Sequence, residues 1–403
     1  MLWFKCPPKI YFKRGSVDLA LRELKGKRRA FIVTDRYLFN SGAVNVITNI
    51  LEDIKTDYQI FFDIKPDPAK QTIYQALDIV RPYEPDVIIA LGGGSPMDAA
   101  KLIWLLYEQP DINLENMPRK YMEIDDNASR IPELGQKAMM VCIPTTSGTG
   151  SEVSPSIIVK DEERNINYAV IDYALTPNMA IIDPNFVDSM PQGLTATSGM
   201  DALIHAIEAY SSKMSTNFVN SNALEAVKLV FKYLGRSHRD GKNDPEAREK
   251  MHYAATIAGM AFANSYISLC HTMAHKLGSM YNLPLGVTNA LLIRQIIKYK
   301  ITHDNAESKF AQRYGQIADE LGLGGDNDIE KSEFLIGEIE NLISELMLPR
   351  SLKYFGIKEE NFNNKVDELT QNAYETFHTE SNPHMPSPQD IKQIYMDAYH
   401  GVY

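Results

Sequence analysis

The sequence is poor in cysteine, with only Cys6, Cys142 and Cys270 in 403 residues. Three widely spaced thiols without a Cys-x-x-Cys pair exclude a small disulfide-stapled domain and a cysteine-based zinc site. Because unpaired cysteines are typical of proteins kept in a reducing compartment, we expect a cytoplasmic location.

Long apolar segments and concentrated positive charge are also missing. No segment approaches the ~20 apolar residues of a membrane-spanning helix, and the N-terminal MLWFKCPPK is not typical of a secretion signal. The 41 Lys and Arg are outnumbered by 52 Asp and Glu, which gives a net charge of −11. We therefore expect neither a nucleic acid nor a membrane as a partner, since both require a concentrated positive face.

What remains is an ordinary globular composition, 44% hydrophobic and 23% charged, which excludes disordered, collagen-like and coiled-coil proteins. A chain of 403 residues exceeds the ~250–300 residues that one core can serve, so two domains are expected. The sequence pattern changes near residue 190, which predicts domains over 1–190 and 191–403.

The N-terminal part has the pattern of a parallel sheet. Five short, nearly continuous apolar segments are expected to be strands buried on both faces: 30–34, 58–62, 86–91, 139–143 and 179–183. Helical spacing between them, as in Ile73, Ala76, Leu77 and Val80, indicates βαβ units. The pattern predicts a doubly wound, Rossmann-like α/β domain.

After the predicted turn Pro191-Gln192-Gly193, strand signals stop and apolar residues at helical spacing take over, as in Ala254, Ile257, Ala258 and Ala261. We therefore predict that residues 191–403 form an all-α domain. The polar segment 115–137, with scattered Pro and Gly, is predicted to be a surface loop with short helical pieces.

Two polar loops follow predicted strands. In GGGSPMDAAK (92–101), glycines let the backbone approach a pyrophosphate closely, and a helix N-terminus would add free N–H groups and a favourable dipole. The second loop, PTTSGTGSEV (144–153), combines hydroxyls with glycines. Each loop alone also fits an ordinary turn, but ligands of open α/β sheets bind at the carboxyl ends of the strands, so together they indicate a dinucleotide site.

Asp35 follows the first predicted strand, where a carboxylate can accept hydrogen bonds from both ribose hydroxyls of adenosine. The same carboxylate would repel a 2′-phosphate, which favours NAD over NADP. A helix N-cap is an equally good interpretation of an Asp at this position.

Polar residues recur four apart in two apolar helical segments. Asp201 and His205 lie in DALIHAIEAY (201–210), and His271 and His275 lie in CHTMAHKLG (270–278). Residues four apart share a helix face, so each pair could chelate a divalent cation. A single such His is more often a hydrogen-bonded core residue, but two pairs favour ligation. The Glu of the His-Glu-x-x-His motif is missing, which excludes a metalloprotease of that class.

These four motifs, in this order, resemble the iron-containing (group III) alcohol dehydrogenase family, and the similarity extends along the whole chain. Within that family the chain is most similar to the alcohol dehydrogenase half of bifunctional aldehyde-alcohol dehydrogenases, through segments such as FFDI, DYALTP, AATIAGMAFAN and DAYHGVY. The resemblance implies an N-terminal dinucleotide-binding domain, a C-terminal helical domain, and a metal that meets the nicotinamide in the cleft between them. It also implies a native polypeptide that is longer and fused to an aldehyde dehydrogenase domain.

Carried over residue by residue, the resemblance makes Asp201, His205 and His271 the metal ligands and places His275 near the nicotinamide and substrate. It assigns the pyrophosphate to Gly93, Gly94 and Ser95. It assigns further cofactor contacts to Asp98, Thr145, Thr146 and Thr149.

Two positions depart from the family pattern. The fourth ligand in the family is a His fourteen residues after the first His of the second pair, where this sequence has Leu285. Asn167 occupies the position at which relatives have a Lys, so a cationic cofactor contact is missing. Leu cannot coordinate a metal, but Asp with two His is a workable set for ferrous iron and for catalytic zinc. We expect weakened metal binding rather than none.

The predicted reaction is reversible hydride transfer between NAD(H) and a small primary alcohol or aldehyde of the ethanol/acetaldehyde type, assisted by Fe²⁺ or alternatively Zn²⁺. His275 is the candidate for relaying the proton. One rival hypothesis is a catalytically weakened half that serves structure or assembly in a fused enzyme, because of Leu285 and Asn167. Another is a polyol dehydrogenase or metal-dependent cyclase of the same superfamily. The expected partners are the small substrate and further copies of the chain in a homo-oligomer.

Overall fold

The computed structural model describes residues 3–66, 68–112, 131–161, 166–303, 305, 309–376 and 384–402. The chain forms two compact units, residues 3–190 and the residues from Pro191 onward. The described residues of the first unit form eight strands and five α-helices: β1 Lys9–Phe12, α1 Ser16–Arg22, β2 Arg29–Val33, α2 Arg36–Asn40, α3 Asn45–Asp53, β3 Asp57–Phe61, α4 Lys70–Tyr83, β4 Val87–Gly92, α5 Gly94–Glu108, β5 Met139–Pro144, β6 Ser156–Asp161, β7 Ile166–Ile171 and β8 Met179–Ile182.

Six of these strands form one parallel sheet in the order β1-β8-β5-β4-β2-β3. Side chains alternate between its two faces, so Phe31 and Ile88 lie in an apolar cluster with α4 and α5, while Ile32 and Ile89 lie in a second cluster with α1 and α3. Every residue of β4 is buried. Helices cover both faces of a parallel sheet, so the predicted doubly wound α/β fold is confirmed.

All five predicted strands are present, but the sequence analysis missed three others. β1 is an edge strand whose residues Lys9 and Phe12 are exposed, so it lacks the continuous apolar run of a central strand. β6 and β7 form a separate antiparallel pair. The predicted surface loop 115–137 falls largely outside the described residues, and its described part, 131–137, contains no helix or strand.

The described residues of the second unit form helices and no strand. The α-helices in this part are α6 Gln192–Ser211, α7 Asn217–Asp240, α8 Pro245–Phe262, α9 Leu269–Tyr281, α10 Leu285–Thr302, α11 Phe310–Leu321, α12 Asp328–Glu345, α13 Glu359–Asn363, α14 Val366–Thr376 and α15 Pro388–His400. The predicted all-α character is confirmed. Pro191-Gln192-Gly193 is the start of α6 rather than a separate turn, because Pro191 is its N-cap and fits this end of a helix.

Helix α6 lies at the centre of this unit, packed against α7, α8 and α10. Almost all of its residues from Thr195 to Ser211 are buried, as expected for a helix that packs against neighbours on every side. Glycines allow the close packing. A Cβ on Gly199 would collide with Leu234 of α7, and a Cβ on Gly286 of α10 would collide with the carbonyl of Thr197. No helix in the described part of the chain is both long and apolar enough to cross a membrane.

Candidate metal centre and cofactor loops

Helices α6 and α9 bring three of the predicted ligands together. Asp201 and His205 lie one turn apart on α6, and His271 is near the start of α9. One ligand atom from each of the three residues lies within 4.8 Å of the other two. His271 Nε2 is 3.4 Å from Asp201 Oδ1, and His205 Nδ1 is 4.0 Å from Asp201 Oδ2. All three side chains are buried.

The two imidazoles lie in a stack of rings. His205 and His271 have ring centroids 4.2 Å apart and an interplanar angle of 10°, and Phe262 of α8 covers the other side of His205 at 4.2 Å. His271 Nδ1 donates a hydrogen bond to Glu208 Oε2 at 2.7 Å. With its proton held on Nδ1, the ring presents Nε2 to Asp201, which is the orientation that metal-binding histidines take beside a carboxylate.

The electrostatics of this cluster favour a positive charge at its centre. Burial raises the pKa of Asp201, but the His205 charge and the His271 hydrogen bond outweigh that cost and lower it. Burial alone would lower the pKa of His271, yet its bonds to Asp201 and Glu208 raise it to about 9. Two buried carboxylates thus stabilise a cation between them, either a proton or a metal ion.

Asn289 and Glu208 were missed by sequence reasoning. The Asn289 amide donates from Nδ2 to Asp201 Oδ1 at 2.8 Å, and Nδ2 is 3.3 Å from His271 Nε2. Both side chains are buried in apolar helices. A buried polar group needs a hydrogen-bond partner, so a single Asn or Glu in an otherwise apolar helical segment is the sequence signal that could have identified these two residues.

Leu285 is the first residue of α10 and is half-buried. Its neighbour Gly286 packs on Thr197 of α6. One turn after Gly286, Asn289 of α10 bonds to Asp201, which lies one turn after Thr197 on α6. Position 285 therefore lies beside the stretch of α6 that leads into Asp201. This is where the family pattern would place an imidazole, and here the side chain is aliphatic.

The residues present fit a divalent cation. A carboxylate oxygen and two imidazole nitrogens are the donors that ferrous and zinc sites use, and three protein ligands leave a position open for substrate. The buried Glu208 bond that fixes His271 in its liganding orientation is a structural observation in favour of this fit. No other group of three or more His, Cys, Asp or Glu in the described ranges is so arranged.

His275, one turn after His271 on α9, is in a different environment. Its ring centroid is 6.4 Å from that of His271, and no carboxylate is within ion-pair distance of it in the described chain. Burial and the neighbouring His271 charge lower the pKa of His275 to about 4. The ring is therefore neutral near pH 7.

In the first unit, strands β2, β4 and β5 are neighbours in the sheet, so the segments that follow them meet at one edge. Gly93 is the N-cap of α5 and Gly94 its first residue. A Cβ on Gly93 would lie 3.2 Å from Thr146 Cγ2, and one on Gly94 would lie 3.0 Å from Thr149 Cγ2. These glycines thus let the two predicted cofactor loops pack against each other.

Thr145 and Thr146 lie beside this glycine turn. The Thr145 N–H donates to the carbonyl of Gly92 at 2.9 Å. The Thr146 hydroxyl is buried and makes no hydrogen bond with the described residues. Ser95 is half-buried in the first turn of α5, where backbone N–H groups lack helical acceptors. The unpaired hydroxyl next to a helix N-terminus fits a phosphate-bearing ligand.

The Asp98 carboxylate makes hydrogen bonds within the first unit. Its Oδ1 accepts from the Ser151 hydroxyl at 2.6 Å, and its Oδ2 accepts from the Ile158 N–H at 2.9 Å. The fully buried Lys101, one turn later on α5, donates to the carbonyls of Ser154 and Ser156. Both residues therefore fasten the segment after β5 to α5.

Asp35 is the N-cap of α2, where its Oδ1 accepts from the Leu38 N–H at 2.9 Å. This is the capping interaction that the sequence also allowed. The bond uses Oδ1 alone, and the side chain is half-exposed at the end of β2. Asn167 lies in β7, paired in register with Lys160, and its side chain lies outside the described part of the structure.

Comparisons with known proteins agree along the whole chain. Residues 7–184 match the model of the iron-containing alcohol dehydrogenase family, and residues 195–399 match that of its C-terminal domain. The bifunctional aldehyde-alcohol dehydrogenase of Escherichia coli K12 is 44% identical over 415 residues, which cover 100% of this chain but 46% of that protein. This chain thus spans about half the length of that relative.

Two relatives of similar length give the same result. An NADPH-dependent butanol dehydrogenase of Clostridium saccharobutylicum is 35% identical, with 100% of this chain and 99% of that protein covered. The structure of an iron-containing alcohol dehydrogenase from Thermococcus thioreducens superimposes with a TM-score of 0.89 at 31% identity, over 100% of both chains. The chain therefore belongs to the iron-containing alcohol dehydrogenase family.

Proposed function

We propose that this chain interconverts small primary alcohols and aldehydes of the ethanol/acetaldehyde type by hydride transfer with NAD(H), assisted by Fe²⁺ or Zn²⁺. The observation that supports this most strongly is the buried grouping of Asp201, His205 and His271, in a chain that matches an alcohol dehydrogenase family from end to end. The helical unit would be the metal-binding catalytic domain, and the sheet unit the dinucleotide-binding domain.

In this proposal Asp201, His205 and His271 hold the cation. The cation supplies Lewis acidity, which polarises an aldehyde oxygen or favours an alcohol's alkoxide. His275, one turn after His271 on α9, would accept the alcohol proton at a ring nitrogen and pass it on to solvent.

The sheet unit would orient NAD. The N–H groups at the start of α5, the half-buried Ser95 and the unpaired Thr146 hydroxyl would bind the pyrophosphate, with Thr145 and Thr149 shaping the loop beside it. Asp35 would accept hydrogen bonds from the ribose through the oxygen that α2 does not use. Asp98 would act indirectly, by holding the second loop in place.

Steady-state turnover tests this function. The purified chain, reconstituted with Fe²⁺ anaerobically or with Zn²⁺, is expected to reduce NAD with ethanol or butanol and to reoxidise NADH with the aldehydes. A panel that adds glycerol and 1,3-propanediol separates the alcohol branch from the polyol branch. A clear preference for glycerol would overturn the proposed substrate class.

A second function has one specific observation in its favour. Leu285 stands where the family pattern has a metal ligand, which supports a catalytically weakened chain that serves structure or assembly within a fused aldehyde-alcohol dehydrogenase. Folded protein that turns over none of the panel with either metal would favour this role. Light scattering would test the accompanying proposal of a homo-oligomer.

A further inference from the structure

We infer that Glu208 is a positioning residue that fixes the start of α9 and the imidazole of His271 for metal binding, an inference that rests on the metal-dependent function proposed above. The residue is fully buried on α6, seven positions after Asp201. Positions 201, 205 and 208 share one helix face. A single stripe of α6 therefore presents two candidate ligands and the carboxylate that orients the third.

The Glu208 carboxylate caps α9 from another helix. Its Oε1 accepts from the Cys270 N–H at 2.7 Å, and its Oε2 accepts from the Ser268 N–H at 3.0 Å. Ser268 is the N-cap of α9, yet its own side chain makes no capping bond there. Glu208 thus satisfies N–H groups that a helix start leaves without acceptors.

The same Oε2 also accepts from the ring of His271. Nδ1 donates to it at 2.7 Å, and the His271 backbone N–H lies 3.4 Å from it. The ring is therefore tied to the helix start that carries it, through one oxygen atom. This arrangement leaves Nε2 as the only ring nitrogen that can bind a cation, and directs it to Asp201.

A buried carboxylate needs compensation for its lost hydration, and the surroundings provide it. Lys300 of α10 is also fully buried and donates to the Ser268 hydroxyl at 3.0 Å. The charge of Lys300 and the positive end of the α9 dipole both face Glu208. Within the described part of the chain, the Glu208 carboxylate accepts hydrogen bonds from N–H donors alone, so it must remain an acceptor to hold this geometry.

The variant Glu208→Gln tests this role because it keeps the shape of the side chain but replaces one acceptor oxygen with a donor that would face N–H groups. Zinc affinity, measured by competition with a chromogenic chelator, is expected to fall about 10–100-fold, as for other residues that orient a metal ligand. The visible absorption of bound Co²⁺ is expected to change, because the His271 ring is no longer fixed.

Asp244→Asn is the matched control. Asp244 caps α8 by accepting from the Ala247 N–H at 3.0 Å and pairs with Arg236, away from the cluster. This variant is expected to lose thermal stability while zinc affinity and the Co²⁺ spectrum stay unchanged. Glu208→Asp, which retains the charge but is shorter by one C–C bond of ~1.5 Å, should weaken zinc binding in the same direction even if Glu208→Gln does not fold.

The outcomes separate the two proposals. Wild-type protein that binds neither Zn²⁺ nor Co²⁺ would overturn the metal-dependent function together with the role of Glu208. Wild-type protein that binds both ions, with equal affinity and spectra in Glu208→Asp or Glu208→Gln, would overturn the positioning role alone. Equal losses of stability in the Glu208 and Asp244 variants, without a change in metal affinity, would make Glu208 an ordinary cap.

Discussion

The two units present their candidate functional groups in opposite ways. In the helical unit, charged and polar side chains on α6, α9 and α10 are buried and bond to one another, as in the Glu208–His271 contact. In the sheet unit, backbone groups and hydroxyls lie at loops, and the Thr146 hydroxyl has no hydrogen-bond partner among the described residues. Rigid helices are suited to fixing a metal geometry, whereas exposed N–H groups are suited to an anion that arrives and leaves.

A smaller comparison within α9 supports the same lesson. His271 and His275 are one turn apart, yet the pKa of His271 is raised to about 9 and that of His275 is lowered to about 4. Two carboxylates bond to His271 and raise its pKa, whereas burial is the main cause of the lowered pKa of His275. Identical residues at one helical spacing therefore acquire different protonation from the helices that pack on them.

Asp201→Asn is expected to have the largest effect, and it addresses the helical unit alone. A neutral amide is a weaker ligand and removes the negative charge beside both imidazoles, so alcohol oxidation should fall about 10³-fold. Metal content after dialysis and the initial rate of NADH formation measure this, while NADH affinity should not change. Retained metal and activity would remove Asp201 from the centre.

Gly94→Val addresses the sheet unit alone. The added side chain would press on Thr149, since a Cβ lies 3.0 Å from its Cγ2, and should separate the two loops. NADH binding, followed by fluorescence titration, is expected to weaken about tenfold, or roughly 1.4 kcal/mol, with metal affinity unchanged.

The control for this change is Gly193→Val, also in the first turn of a helix, where a Cβ meets nothing within 4 Å. It adds the same side chain without compressing a loop, so NADH affinity should stay at the wild-type value. Equal NADH affinity in all three proteins would exclude the glycine turn from the cofactor site.

Leu285→His should strengthen the helical centre instead of weakening it. Position 285 lies beside the approach of α6 to Asp201, so an imidazole there can supply a fourth ligand. Zinc affinity is expected to rise about tenfold, roughly 1.4 kcal/mol, along with alcohol oxidation at limiting metal. Leu285→Ile, which adds no ligand, is the control. The same metal content after dialysis in all three proteins would mean that Leu285 does not replace a ligand.

Asp35→Ser is expected to have the smallest effect. The hydroxyl can still cap α2 by accepting from Leu38, but the charge that opposes a 2′-phosphate is lost. Since a partly exposed charge contributes about 1 kcal/mol, the NAD to NADP ratio of kcat/KM should fall roughly fivefold. Asp35→Gly should lower the ratio similarly while also destabilising α2. An unchanged ratio in both variants would leave Asp35 as a helix cap only.

Local patterns in the sequence were sufficient for most of the fold. Continuous apolar runs identify the central strands, because a parallel strand is buried on both faces, as in β4. The edge strand β1 was missed because its exposed positions interrupt that pattern. The spacing of Asp201 and His205 likewise predicts a shared helix face from the helical period alone.

Other features required the tertiary structure. The Glu208 carboxylate accepts a hydrogen bond from the backbone of Cys270, 62 positions further along the chain. Asn289, on a third helix, donates to Asp201. The predicted cofactor residues Asp98 and Gly94 also have neighbours that the sequence could not show, since Asp98 bonds to Ser151 and a Cβ on Gly94 would press on Thr149. Sequence by itself determined which residues share one strand or helix face, because that follows from local backbone geometry. Packing alone decided which faces meet. It thereby also decided the partners, burial and protonation of each side chain.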